Sequence, residues 1–238
     1  ARWTLGRSGS LAGRKVVITA GGTREALDPV RYITNRSSGK QGYALAQAAL
    51  DAGANVTLIS AASGLTAPYG VTLVPVDSAR TMQAAVLEHV ADTGMGADVL
   101  IMAAAVADFR PQTQADQKIK KSDDPNASIT LELARNPDIL LSVKEQRAAT
   151  GYPRITVGFA AESENLLANA QSKLERKGLD LLVANDISAA DAGFEVDTNR
   201  VVILDTNGNN EGLDLASKAA ISEHIIRRVA GLLDGHKP

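Results

Sequence analysis

The chain has no cysteine and only three histidines among its 238 residues. The lack of cysteine excludes disulfides, thiolate nucleophiles and cysteine-based metal sites, and it favours a cytoplasmic location. The histidines are His89, in a predicted amphipathic helix, His224, in the predicted last helix, and His236, near the C-terminus. None of them accompanies a chemical motif, so the sequence argues against a histidine-based catalytic triad or zinc site.

Long apolar runs and an excess of charge of one sign are also missing. No apolar stretch approaches the roughly 20 residues of a membrane span, and the N-terminus lacks the apolar core of a secretion signal. The formal net charge is −2, so no global basic field attracts nucleic acid or anionic lipid, and any anion site has to be built locally. We therefore predict a cytoplasmic protein that binds neither nucleic acid nor membranes.

The chain does contain apolar, strand-like runs that alternate with helical patterns, and 45% of its residues are hydrophobic. This alternation predicts an α/β fold, a doubly wound, Rossmann-like and mostly parallel sheet with helices on both faces. Predicted strands cover residues 16–20, 55–60, 71–76, 98–105, 154–160, 180–185 and 200–205. Predicted helices cover residues 39–52, 80–90, 137–147, 164–177 and 215–233.

The predicted elements lie within residues 15–234, which we expect to form one domain. Residues 1–14 are rich in Gly, Ser and Arg, and we expect a linker or a terminal extension there. The polar stretch 110–133 interrupts the alternation, carries KIKK at 118–121 and ends in a strand-like run at 129–133. Such a segment is predicted to be a flexible arm or flap that either closes over a site or reaches a partner subunit.

The richest local pattern is NRSSGKQG, at residues 35–42, directly before the first predicted helix. Its hydroxyls, cations and glycines are typical of an anion-binding turn, because the N–H groups of a helix N-terminus face whatever the turn holds. Ser37 and Ser38 could equally be an ordinary N-cap. A Walker A loop would need Gly at position 34 and Ser or Thr at 41, where this chain has Thr34 and Gln41. The dinucleotide pattern fails as well, because Ser37 stands where its first Gly is required.

Polar residues also follow several other predicted strands, where ligands of open α/β sheets bind. They include Asp108, Glu162, Asn185 and Asp186. Six motifs, read in order along residues 14–233, resemble the phosphopantothenoylcysteine synthetase family, the synthetase half of a bacterial bifunctional decarboxylase and ligase. The motifs are AGGTREALDPVRYITNRSSGKQG at 20–42, MAAAVADFR at 102–110, KIKK at 118–121, NPDIL at 136–140, GFAAE at 158–162 and AND at 184–186. Gly22 is a departure, since many members have Pro there.

The resemblance implies a ligase of coenzyme A biosynthesis that joins 4′-phosphopantothenate to L-cysteine. CTP would first convert the carboxylate to an acyl-cytidylate with release of pyrophosphate, and the cysteine amine would then displace CMP. Such phosphoryl chemistry depends on positioning and charge neutralisation, with Mg²⁺ as the usual partner. The resemblance further implies a homodimer, a fused or partner flavin-dependent decarboxylase, and no flavin in this chain.

Carried over by position, the resemblance gives catalytic roles to Asn35, which would act on the acyl-cytidylate, and to Lys118 of the arm. Arg36, Ser37, Ser38, Gly39 and Lys40 would bind a phosphate of either CTP or phosphopantothenate. Mg²⁺ would be held mainly by the triphosphate, with Asp108 as a candidate protein ligand. The nucleotide would contact Met102, Ala103, Ala104, Asp108, Lys118, Asn136, Pro137, Asp138, Ile139, Phe159, Lys173 and Lys177.

Two other functions compete with this interpretation. A short-chain-type NAD(P) dehydrogenase suits the fold class, but it typically needs a Tyr followed by Lys four residues later. The four tyrosines at positions 32, 43, 69 and 152 are followed at that spacing by Arg36, Gln47, Leu73 and Thr156. A non-catalytic nucleotide-binding regulatory module would explain the phosphate turn, but it gives no reason for the lysine-rich arm.

Overall fold

A computed structural model describes residues 8–91, 96–121, 123–124, 126, 128–162, 166–186 and 197–235. The strands are β1 Lys15–Ala20, β2 Arg24–Ala26, β3 Tyr32–Thr34, β4 Asn55–Ser60, β5 Thr72–Pro75, β6 Val99–Met102, β7 Phe109–Pro111, β8 Leu133–Arg135, β9 Ile155–Glu162, β10 Leu181–Asp186, β11 Thr198–Asp205 and β12 Asn210–Ser217. The helices are α1 Lys40–Asp51, α2 Ala79–Val90, α3 Ile139–Thr150, α4 Leu166–Lys177 and α5 Lys218–Gly235.

The central sheet has eight strands in the order β12-β11-β10-β9-β6-β1-β4-β5. All neighbours from β10 to β5 are parallel, whereas β11 and β12 form an antiparallel edge. The chain runs from β1 to β4 and β5 on one side, and it then returns to β6 on the other side of β1. The strand order therefore reverses between β1 and β6, which is where doubly wound sheets bind ligands. The predicted Rossmann-like fold is confirmed.

Helices cover both faces of this sheet because successive side chains of a strand alternate between the two faces. In β1, Val16 and Ile18 belong to a core cluster with residues of α1 and α5. Val17 belongs to a second cluster, with residues of α2 and α3. A third cluster joins α4 to β9 and β10. The continuous apolar runs of the sequence therefore predicted the parallel strands, which are covered on both faces, correctly.

Two short hairpins were not predicted from the sequence. β2 pairs with β3 inside the long connection between β1 and α1, and β7 pairs with β8 at the base of the predicted arm. Each of these strands has three residues, too few to show a period-two pattern. The strand predicted at 129–133 is misplaced, because β8 begins only at Leu133.

Two other predicted boundaries are wrong for identifiable reasons. The last helix begins at Lys218 and not at Leu215, because residues 210–217 form an additional edge strand, β12, against β11. The strand predicted over 98–105 ends at Met102, because the backbone N–H of Ala104 donates to the Thr19 hydroxyl at 3.1 Å.

The predicted terminal extension is in part packed against the sheet. Residues 1–7 lie outside the described residues, but the Leu11 side chain is buried in the core cluster with α1. The backbone N–H of Leu11 donates to Ala52 O at 2.8 Å, at the end of α1. In the part of the chain that the structure describes, no helix is long and apolar enough to cross a membrane.

Candidate active site

A cavity of about 610 Å³ lies at the carboxyl ends of the central strands, beside the point where the strand order reverses. It is lined by the turn before α1 and the first turn of α1, by the end of β6 and the segment after it, and by the segment between β8 and α3. Residues of β9, β10, β11 and α4 and the first residue of α5 complete the lining. Its lining residues are Asn35, Ser37, Gly39, Lys40, Gln41, Gly42, Met102, Ala103, Ala104, Ala105, Val106, Ala107, Asp108, Phe109, Arg135, Asn136, Pro137, Asp138, Ile139, Leu140, Phe159, Ala160, Lys173, Lys177, Asn185, Asn199 and Lys218.

The turn before α1 places a helix N-terminus against the cavity. Gly39 is the N-cap, with φ 79° in the left-handed region, and no side chain caps the helix. The alternative that Ser37 and Ser38 form an ordinary N-cap is therefore wrong. A Cβ on Gly42 would lie 2.5 Å from the Cβ of Ala20, so only glycine lets α1 pack this closely on β1. The first-turn N–H groups lack intrahelical acceptors, and they belong to residues that line the cavity.

The connection after β6 is tied to the β1 side of the switch point by buried hydroxyls. Thr19 and Thr23 are both fully buried. The Thr19 hydroxyl accepts from the N–H of Ala104 at 3.1 Å, and the Thr23 hydroxyl accepts from the N–H of Ala107 at 2.9 Å. These two hydrogen bonds fix the backbone of residues 103–108, which form one wall of the cavity.

Two amide side chains bind this wall from opposite sides. Asn35 Nδ2 donates to Val106 O at 3.1 Å, and Asn136 Nδ2 donates to Ala107 O at 2.8 Å. An amide nitrogen carries two N–H groups, so Asn35 keeps a second donor for a ligand while the first fixes its orientation.

The charged residues around the cavity favour an anionic ligand. Among the described lining residues, two carboxylates, Asp108 and Asp138, stand against the cations Lys40, Arg135, Lys173, Lys177 and Lys218. A concave site with an excess of cations raises the local concentration of anions even when the protein's net charge is negative.

Lys177 is the most constrained cation on the α4 side. Only 9% of the residue is exposed, and its Nζ donates to Asp138 Oδ2. Asp138 is also the N-cap of α3, where its Oδ1 accepts from the N–H of Leu141 at 3.3 Å. Burial lowers the pKa of Lys177, and the carboxylate of Asp108 opposes this shift. Because Lys177 and Asp138 pair with each other, α4 and the start of α3 are joined at the cavity.

The structure brings together fifteen of the residues singled out by the resemblance. They are Asn35, Ser37, Gly39, Lys40, Met102, Ala103, Ala104, Asp108, Asn136, Pro137, Asp138, Ile139, Phe159, Lys173 and Lys177. Phe159 also packs against the core, so its core and site interpretations are compatible.

Three predicted residues, Arg36, Ser38 and Lys118, do not line the cavity. Lys118 is exposed in the arm, and its neighbour Ile119 is bound to the β2–β3 hairpin. The N–H of Ile119 donates to Asp28 Oδ2 at 3.1 Å, and Arg31 Nη2 donates to Ile119 O at 2.9 Å. The contacts of Ile119 therefore hold the backbone beside Lys118 at the β2–β3 hairpin.

Several polar lining residues were given no role from the sequence. Gln41 belongs to the recognised turn, and Asn185 lies near the carboxyl end of β10, where the sequence pattern already indicated a ligand-binding position. Asn199 and Lys218 carry no such signal, because they arrive through the antiparallel edge β11–β12. Arg135 immediately precedes the NPDIL motif at 136–140.

The comparison with known proteins agrees with this geometry. The fold and the cavity define a doubly wound α/β protein with a cation-rich cavity at its switch point. The model for the DNA/pantothenate metabolism flavoprotein C-terminal domain matches residues 11–233, and the chain belongs to this family.

Relatives include the coenzyme A biosynthesis bifunctional protein CoaBC of Vibrio vulnificus, 48% identical over 226 residues that make up 95% of this chain and 54% of that protein. The CoaBC protein of Bacillus subtilis is 47% identical, with 94% and 53% covered. The chain thus spans about half the length of the curated relatives it matches.

Among solved structures, the C-terminal domain of a CoaBC protein is 36% identical, with a TM-score of 0.78 and coverage of 96% of this chain and 100% of that one. A Cab2 mutant in complex with phosphopantothenate-cysteine has a TM-score of 0.68, with 98% of this chain and 89% of that one covered. Its identity is only 19%, so this likeness concerns the fold alone.

Proposed function

We propose that this chain is a phosphopantothenate–cysteine ligase of coenzyme A biosynthesis, which uses CTP and forms an acyl-cytidylate. The observation that carries the proposal is the cation-rich cavity at the switch point, lined by fifteen residues that the family resemblance singled out. Its volume of about 610 Å³ lies within the roughly 300–1,000 Å³ typical of small-molecule sites. Membership in a family whose relatives are CoaBC proteins supports the same activity.

In the first step, a carboxylate oxygen of 4′-phosphopantothenate attacks the α-phosphorus of CTP, and pyrophosphate leaves. The N-terminus of α1, Lys40 and the cations of α4 stabilise the phosphate charge by their fixed positions. Lys118 enters from the arm to add a further positive charge once the substrates are bound. The cavity wall at 102–104 and the NPDI stretch at 136–139 hold the nucleotide.

In the second step, the cysteine amine attacks the acyl carbon and CMP leaves. Asn35 serves this step because one of its N–H groups is fixed on Val106 O and the other can donate to the acyl oxygen or the phosphate. A neutral amide can hold the intermediate without forming an ion pair with the leaving phosphate.

Mg²⁺ would neutralise part of the triphosphate charge. The described residues contain no group of three or more His, Asp or Glu side chains that could hold a metal ion. The cavity residues therefore suit an ion carried by the triphosphate, with Asp108 as the carboxylate offered to it.

We also propose that the chain forms a homodimer through the arm and the two hairpins. Large apolar side chains are exposed there, among them Val30, Tyr32, Phe109, Ile129 and Leu133, each at 45% or more. Large exposed apolar side chains on neighbouring segments are typical of a protein–protein contact. Light scattering would measure the molar mass of the protein in solution. The molar mass of a monomer would contradict this assignment.

The direct test measures pyrophosphate release with CTP, ATP, GTP or UTP in the presence of 4′-phosphopantothenate, with and without cysteine. We expect release with CTP before cysteine is added, and formation of the amide only afterwards. Pantothenate without its phosphate is the control substrate. The ligase assignment would be contradicted if none of the four nucleotides led to pyrophosphate release.

Asn35→Ala separates the two steps. We expect this variant to release pyrophosphate and to accumulate the acyl-cytidylate, because it loses an amide donor that acts after activation. Removal of one such donor typically costs about 10²- to 10³-fold in rate. Mass spectrometry of the quenched reaction would detect the intermediate, and full conversion to the amide at the normal rate would refute the role given to Asn35.

A further inference from the structure

We propose that Lys218, together with Lys40 and Asn185, forms a phosphoryl-binding subsite where α5 begins beside α1. This inference deepens the proposed function and rests on it. None of the sequence motifs includes Lys218. The residue lies in the cavity because strands β11 and β12 bring the start of α5 beside the N-terminus of α1.

Lys218 is held in the cavity wall by its own backbone. Its N–H donates to Asp197 O at 3.0 Å, and its carbonyl accepts from the Ser222 hydroxyl at 2.6 Å. Gln41 Nε2 donates to the Ser222 hydroxyl at 2.9 Å and also approaches the Lys218 carbonyl at 3.5 Å. α1 and α5 are thus joined directly beneath the side chain of Lys218.

The charge of Lys218 is costly where it lies. The residue is only 6% exposed, and burial lowers the pKa of its ammonium group. Lys40 lowers the pKa further, whereas Asp197 opposes the shift. Two neighbouring ammonium groups repel each other, and an anion placed between them would remove this repulsion and offset the desolvation.

Asn185 supplies a neutral donor at the same place. Its Oδ1 accepts from Asn199 Nδ2 at 2.8 Å, and Asn199 Oδ1 in turn accepts from the N–H of Arg200 at 3.0 Å. The backbone N–H fixes the orientation of Asn199, which fixes that of Asn185. The end of Asn185 that remains for a ligand in the cavity is therefore its NH₂ group, although only 9% of the residue is exposed.

Asp197 acts as a competitor for the same cations. Lys40 Nζ pairs with Asp197 Oδ1 at 2.6 Å, and the Asp197 side chain is 83% exposed. An ion pair so exposed to water contributes little, so a multiply charged ligand can displace the carboxylate easily.

The donor set selects a phosphoryl group over a carboxylate. Two ammonium groups, one amide and the first-turn N–H groups of α1 supply more donors than the two oxygens of a carboxylate can accept. Both the polyphosphate of the nucleotide and the phosphomonoester of 4′-phosphopantothenate have the required chemistry.

The test compares Lys218→Met, which keeps the aliphatic stem and removes the charge, with Lys144→Met, a matched change on the exposed surface of α3. Calorimetry measures binding of inorganic pyrophosphate, CTP and 4′-phosphopantothenate separately to the whole chain. We expect Lys218→Met to weaken at least one of them about tenfold or more, and Lys144→Met to change none beyond about twofold. The ligand that weakens identifies the source of the phosphoryl group. Binding of all three within twofold of wild type would overturn the subsite.

Asp197→Asn gives an independent readout on an exposed residue and decides the matter if Lys218→Met does not fold. Removal of the competing carboxylate should tighten binding of the same ligand several-fold. Unchanged or weaker binding would contradict the proposal. Failure of the ligase assignment is distinguishable, because wild-type protein would then release no pyrophosphate with any nucleotide and still bind the phosphoryl ligand through Lys218.

Discussion

The turn at residues 35–42 and the arm at residues 110–133 both carry cations, but the two segments are held in different ways. The turn is fixed by backbone geometry, with Gly39 in the left-handed region and Gly42 in van der Waals contact with β1. The described part of the arm is bound to the β2–β3 hairpin largely through one buried carboxylate, Asp28. The N–H of Ala115, which donates to Leu27 O at 3.0 Å, adds to this contact.

The turn is therefore a permanent part of the cavity, whereas we expect the arm to contact a ligand only during part of the reaction. Moving the turn would require α1 to leave the sheet, whereas the hydrogen bonds between the described part of the arm and the β2–β3 hairpin can break while the central sheet stays intact. An enzyme with the proposed ligase activity would have to admit substrates, exclude water and release products, and it would benefit from having both. The comparison predicts that changes in the turn disturb folding most, and that changes in the arm disturb catalysis with little effect on folding.

The largest effect on folding is expected for Gly42→Ala. The new methyl group would lie 2.5 Å from Ala20 Cβ and 2.9 Å from Thr19 O, so α1 would have to move. Overpacking of this kind costs about 1–3 kcal/mol, and urea unfolding would measure it. Gly231→Ala in α5 is the matched control, because an added Cβ there meets nothing within 4 Å. It should stabilise the helix by about 0.5–1 kcal/mol. Equal stability of the two variants would show that the close contact is not needed.

An intermediate effect is expected for Asp28→Asn. Asp28 accepts from the N–H groups of Val30, Arg31 and Ile119 and from the Arg31 guanidinium, and an amide cannot accept at both ends. We expect the arm to be released, with trypsin cleavage after Lys118 faster by roughly tenfold. Asp77→Asn, which removes an exposed ion pair with Arg24, should leave cleavage unchanged. If trypsin cleaves after Lys118 at the same rate in both variants, Asp28 does not hold the arm.

The same variant predicts a pH dependence. The hydrogen bond from the Arg31 guanidinium holds the pKa of Asp28 well below its ordinary value of 3.8. A carboxylate with a depressed pKa stabilises the fold fully above that ordinary value, and the stabilisation is lost as the pH falls below it. The difference in the free energy of unfolding between wild type and Asp28→Asn should therefore be constant near neutral pH and shrink below about pH 4. A difference that stays the same from neutral pH down to pH 2 would contradict the assignment.

The smallest effect on folding is expected for Lys118→Ala, because the side chain is exposed and lies outside the cavity. The free energy of unfolding should change by no more than about 0.5 kcal/mol. Pyrophosphate release should nevertheless slow by about tenfold or more, because charge neutralisation in the first step is lost. Lys144→Ala controls for the removal of a surface lysine, and undiminished release by Lys118→Ala would refute its role in activation.

The sequence was informative where chemistry lies in one continuous segment that follows a parallel strand. The turn at 35–42 and the wall at 103–108 could be predicted because the carboxyl ends of parallel strands meet at one edge of the sheet. The NPDI stretch at 136–139 follows the antiparallel strand β8 and was identified through the family resemblance alone. The left-handed conformation of Gly39 could not be predicted, since the same letters also suit an N-cap.

Residues that reach the cavity by a different path were missed. Asn199 lies in β11 and Lys218 directly follows β12, the two antiparallel strands at the sheet edge. No local sequence pattern predicts that this edge brings them to the cavity. The position of Lys118 outside the cavity could not be predicted from the sequence either. The motif identifies the residue, but it gives no information on the contacts of Ile119 that hold the arm.

The β2–β3 hairpin has a consequence for how the chain tolerates insertions. Asp28, which holds the arm, and Asn35, which lies at the cavity, are separated by a single short stretch of chain within the β1–α1 connection. An added or deleted residue between them would flip the register of β3 and displace one of the two groups. Length changes should instead be accepted at the turn 206–209, whose Gly208 has open space around it and which contacts neither group.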